Sequence, residues 1–162
     1  MNKQTFHLND YDWAVTLYYS VAAQDFYAVM SHLWLSGCRG DDFRNAWNNV
    51  NKGCCNRGLT YSNFGNKESI VVVGHASSFG ELMNSLSHEI HHLSVHIALA
   101  NDLELDGEGV CYIDGSITQM VFENPISGTA CSIPTNAFSS FLLSPVSYKW
   151  NPCWTECKRM TR

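Results

Sequence analysis

Long apolar runs are missing from this chain of 162 residues. No stretch approaches the roughly 18 to 20 apolar residues that a membrane-spanning helix needs, so neither a span nor a membrane partner is expected. Basic charge is scarce too: Lys and Arg number 10 against 15 Asp and Glu, a net charge of −5. Without a clustered basic face, nucleic acid is not an expected partner. The apolar stretch 13–23 follows Asp10 and Asp12 with only Lys3 against them, the wrong sign for a secretory leader, and none is expected. Even-numbered cysteine pairing is also lacking. The seven cysteines include the adjacent Cys54 and Cys55, which reads as reduced thiols in a cytoplasm and not as a disulfide framework.

What is present is enough apolar material for one packed core. Hydrophobic residues make up 45% of the chain and aromatics 12%, which excludes wholesale disorder. Segments 5–8 and 13–19 are rich in aromatic and β-branched residues around Asn9 and Asp10, the pattern of a hairpin. The period then becomes helical through Ala22, Phe26, Val29, Met30 and Leu33, with Gly37 as the stop. A second helix is expected from Asp41, carrying Phe43, Ala46, Trp47 and Val50 and ending at Gly53. Strands follow at 58–62 and 69–73. Ser77 or Ser78 caps a long helix to about Ala100, and a last helix spans about 108–122. Strands and helices are grouped and not alternating, which makes this an α+β chain. Charge divides it unevenly: residues 1–122 hold 6 basic and 13 acidic residues, residues 123–162 hold 4 and 2. We therefore expect one domain over 1–122 and a loosely packed or disordered tail over 123–162.

Chemistry concentrates in the long helix, at His88-Glu89-Ile90-His91-His92. Residues four apart share a helix face, so His88 and His92 can reach a single metal ion. Glu89 points about 100° away from His88, where it can take a proton from a metal-activated water instead of binding the metal. Zinc suits such ligands, and a catalytic zinc keeps three protein ligands plus water. Random placement yields this pattern about once in 80 chains of this composition, so its mid-helix context matters as much as the match. The form with a glycine at position 95 and a histidine at 98 is excluded, because these are Val95 and Ala98. Glu108 is the leading third ligand, with Cys111 and Gly115 as small residues that would let its face approach the metal helix. Asp102, Glu104 and Asp106 compete for the role. His91 and His96 read as surface or packing residues. Cys131, Cys153 and Cys157 lack a paired spacing for a second metal.

His88, Glu89 and His92, followed by Glu108 in Glu108-Gly109-Val110-Cys111-Tyr112, resemble the zincin metallopeptidases whose third ligand is a glutamate on the following helix. Cys111 stands where that family often has a small alanine. The resemblance covers about residues 58–122. It implies a minimal zincin-like domain, with a small antiparallel or mixed sheet packed on the motif helix and the helix after it. It also implies zinc on His88, His92 and Glu108, Glu89 as general base, and a peptide or protein substrate. Tyr112 is a candidate for polarising a substrate carbonyl. Strand 69–73 is a candidate for pairing with an extended peptide. The whole chain is also similar to small proteins of gut-bacterial phages and mobile elements, which would place it in a bacterial host cytoplasm. That likeness supports a different expectation, a non-catalytic accessory protein that retains a metal-binding helix.

Overall fold

Strand β4, Glu68–Gly74, is apolar on both faces, and this is the key to the architecture. Ile70 and Val72 join one buried cluster while Val71 and Val73 join another. A strand buried on both sides needs helices above and below it. The computed structural model, which describes residues 1–51 and 58–123, supplies them in both layers. Strand β1, Asn2–Leu8, pairs antiparallel with β2, Trp13–Val21; helices α1, Phe26–Leu35, and α2, Gly40–Asn51, come next. Then follow β3, Leu59–Asn63, β4, and helices α3, Phe79–Ala100, and α4, Glu108–Glu123. The sheet order is β1-β2-β4-β3, antiparallel except for the parallel pairing of β2 with β4. The described residues thus form the expected α+β fold, with a mixed sheet.

Helices α3 and α4 bury Leu86, Ile90, Leu93, Ile97, Val110, Ile113 and Ile117 against Trp13, Val15, Leu17, Val71 and Val73. On the other face α1 and α2 bury Val29, Met30, Leu33, Ala46 and Val50 against Tyr18, Val21, Ile70 and Val72. Tyr18 and Val21 share that face only because the β2–β4 register shifts between them, around Ser20 at φ 53°. Each fully buried aliphatic side chain contributes about 1.5–3 kcal/mol, so this double burial dominates the fold.

Boundaries follow the capping chemistry. Ser78 is the cap of α3, its Oγ accepting from the Glu81 amide at 3.2 Å. Gly37, at φ 90°, ends α1 while the Cys38 amide reaches back to the Leu33 carbonyl at 2.9 Å. No helix among the described residues is long and apolar enough to cross a membrane. The expected tail, the expected stop at Gly53, and Cys54, Cys55, Cys131, Cys153 and Cys157 lie outside the described residues.

Between β2 and α1, Tyr18 Oη and His32 Nδ1 are 3.0 Å apart. Burial pushes the Tyr18 phenol up and holds His32 below the ordinary histidine range; Lys3 lowers His32 further and Glu68 opposes it. The unfolded chain therefore binds the His32 proton first as pH falls. Its contribution to stability should be complete above about pH 6.5 and decline as the pH drops through and below that value. Thermal unfolding between pH 8 and pH 5 should show this decline, and His32→Gln should flatten part of it. An identical pH dependence in the variant would contradict the assignment.

Candidate metal and carboxylate site

Helix α3 carries the site because its buried stripe fixes which residues remain outside. Leu86, Ile90, Leu93 and Ile97 face the sheet and α4, which leaves His88 and His92 exposed on one flank. Their Nε2 atoms lie 3.0 Å apart and their rings are nearly perpendicular, at 87°. Zinc–imidazole bonds of about 2.0–2.1 Å at a tetrahedral angle would set two nitrogens about 3.3 Å apart. The observed 3.0 Å is a hydrogen-bond distance between the two rings, somewhat shorter than that spacing. Partial burial holds His92 below the ordinary histidine range; the Glu89 carboxylate opposes the shift, and His88 and His91 reinforce it.

The expected third ligand is not brought to the pair. Helix α4 buries Val110, Ile113 and Ile117, so Glu108, Cys111, Tyr112 and Gly115 form its exposed face. The small residues at 111 and 115 line solvent and do not ease an approach to α3. Tyr112, 68% exposed, donates its hydroxyl to Glu108 Oε2 at 3.3 Å. Asp102, Glu104 and Asp106 are exposed in the connection before α4. No group of three or more His, Cys, Asp or Glu able to hold a metal occurs among the described residues. Glu108 stands exposed at the start of α4, whose apolar period buries Val110, Ile113 and Ile117 instead.

Glu89 takes the opposite course and is buried between α3 and β3. Alternation along β3 sends Leu59 and Tyr61 towards α1 and α2, so Thr60 and Ser62 face α3. Thr60 Oγ1 donates to Glu89 Oε2 at 2.7 Å and lies 3.1 Å from the Glu89 main-chain oxygen. A Cβ on Gly58 would stand 2.2 Å from Glu89 Cγ and 2.4 Å from Oε1, so only glycine leaves room for the carboxylate.

A second polar chain runs parallel to this one. Trp13 Nε1 donates to Ser69 Oγ at 2.8 Å, Ser69 and Ser62 hydroxyls are 2.6 Å apart, and Ser62 Oγ is 2.9 Å from His96 Nδ1. His91, by contrast, pairs with Asp114 of α4 at 3.2 Å. Gly58, Thr60, Ser62 and His96 were not singled out from sequence as site residues. Their one signal is the polar alternation Gly58, Thr60, Ser62 opposite Leu59 and Tyr61, which reads as a solvent face until α3 is seen to cover it. Strand 69–73, expected to offer an edge, lies inside the sheet with β2 and β3 on its two sides; β1 and β3 are the edge strands among the described residues.

Thr60→Val should therefore leave a buried carboxylate oxygen without its donor and cost about 1–3 kcal/mol in urea unfolding, whereas Thr60→Ser should keep most of the stability. Equal stability of the two variants would show that the hydroxyl does not support Glu89.

No known protein family, curated protein or solved structure matches this chain.

Proposed function

We propose that the chain is a zinc-dependent metallopeptidase whose metal would rest on His88 and His92, with a third protein ligand that the described residues do not bring to the pair, and whose base would be Glu89. The observation that carries this reading is the convergence of the two Nε2 atoms, 3.0 Å apart, one residue from a carboxylate fixed by an edge strand. Zinc bound there would supply Lewis acidity and an acidified water. The chain's own residues supply the rest. Thr60 donates to Glu89 Oε2, and Oε1 would be the atom to take the water proton and return it to the leaving amine. Edge strand β3 offers main-chain groups on which an extended peptide can align. The net negative charge fits a peptide or protein substrate better than nucleic acid. The thiol usage points to the cytoplasm, that of a bacterial host if the chain is phage-borne.

One observation favours the second reading, an accessory protein that keeps the metal helix without turnover. Glu89 is 4% exposed, as suits a carboxylate that braces β3 against α3. Metal content and turnover separate the two readings. Zinc analysis of the purified full chain should give near-stoichiometric metal in the wild type, in Glu89→Gln and in Glu108→Gln, and none in His92→Ala. Cleavage of a mixed peptide library, with a chelator control, should fall at least ~100-fold in Glu89→Gln. Zinc retained without any chelator-sensitive cleavage in the wild type would establish the accessory reading instead.

A further inference from the structure

Helix α1 turns an uncharged face to solvent. Its buried stripe is Phe26, Val29, Met30 and Leu33, and Tyr27, Ala28, Ser31, Trp34 and Leu35 are exposed. At 100° per residue these five fall within about 120° of one another around the helix. A solvent-facing stripe is ordinarily charged or polar, and here no member is charged. Ring contacts carry the same surface across to α2. Trp34 meets Phe43 edge-on at 5.3 Å, Phe43 and Trp47 lie 6.4 Å apart, and Phe26 touches Trp47 at 4.5 Å and Tyr27 at 5.3 Å. Arg39 holds Trp34 as well, with its guanidinium 3.6 Å from the ring centre. Rings ordered in this way lower the entropy cost of docking.

Single exposed apolar residues need no explanation, but a continuous belt marks a contact surface. Tyr27 is 75% exposed, Leu35 81%, Trp34 50% and Trp47 39%. At about 150–250 Å² for an aromatic side chain and about 100 Å² for leucine, these four expose on the order of 400 Å². A stable interface covers about 800 Å² on each partner, so the belt supplies about half, in residue types that dominate binding energy. Arg44 and Asn48, exposed near Trp47 on α2, are available for a polar rim. Charge and the order of sizes name the occupant. A charged peptide would find no countercharge on the α1 face, whereas two copies of net charge −5 meet there at least cost. Tyr27 stands near one end of the face, Trp34 and Leu35 at the other, with the small Ala28 and Ser31 between. An antiparallel twofold through Ser31 sets Leu35 of one copy against Tyr27 of the other, and Trp34 over Ala28. The same pairing opposes the two helix dipoles favourably. Independently of any metal, we propose that this face is a homodimer interface, with two copies pairing antiparallel along α1 about a twofold axis at Ser31.

The test is sedimentation equilibrium of the full chain, with a reductant present, between about 1 and 200 μM, where an interface of this size should dissociate. The wild type should pass from the mass of one chain to that of two. Leu35→Glu and Tyr27→Lys should each weaken the dimer at least about tenfold. Both side chains lie outside the buried core, so thermal unfolding at the lowest concentration should match the wild type. Combined in one chain, the two substitutions should recover much of the association, because antiparallel pairing sets each new acid against a new amine of the other copy. Leu99→Glu, at a half-exposed leucine of α3, should leave association unchanged. A wild type that stays a single chain throughout the range would overturn the proposal. So would a dimer weakened as much by Leu99→Glu as by Leu35→Glu, or a double variant no better than the weaker single one.

Discussion

The contact between Glu89 and Thr60 constrains how β3 sits on α3. A carboxylate shielded from water is costly by several kcal/mol unless its oxygens are hydrogen-bonded. Its burial beneath β3 therefore requires a hydroxyl at Thr60 and the absence of a side chain at Gly58. Those two requirements fix the register of β3 against α3. That register in turn places Ser62 opposite His96 and Tyr61 on the α1 side, where its hydroxyl donates to the Ser36 carbonyl. An edge strand with little apolar surface on its α3-facing side is thus held to the domain through polar contacts.

The rest of the core explains why α3 can carry exposed histidines without losing its place. Its sheet-facing stripe of Leu86, Ile90, Leu93 and Ile97 is nearly fully buried, and Ser94 satisfies its own hydroxyl on the Ile90 carbonyl at 3.0 Å. The helix is anchored by apolar burial along one stripe and by polar contacts along the next. His88 and His92 project from the remaining flank. This separation of anchoring from chemistry leaves His88 and His92 outside the buried core, and substitutions there should act on function before stability.

Much of this was legible in the sequence because it is local. The hairpin, the two helix pairs and the motif helix follow from period, caps and turn residues, and Ser78, one of the two serines expected there, serves as the cap. The direction of Glu89, away from the histidine pair, follows from 100° per residue. What was hidden depends on partners distant in the chain. The helical period of α4 names its buried stripe, yet it does not say which side chains of α3 its exposed residues can reach. The Val-rich run in β4 reads equally as an edge or a centre until both neighbours are placed. The polar face of β3 has the signature of solvent exposure, and only the tertiary fold turns Thr60 and Ser62 into supports for Glu89 and His96.

Two imidazoles with an adjacent buried carboxylate form the core of the functional account, and the coordination of the metal is where it is most exposed to test. X-ray absorption at the zinc edge, on the full chain loaded with one equivalent of zinc, counts the imidazoles bound and measures their distance. The account predicts two histidine nitrogens at about 2.0–2.1 Å, with oxygen ligands completing the shell. Zinc bound without imidazole, or through sulfur, would contradict it.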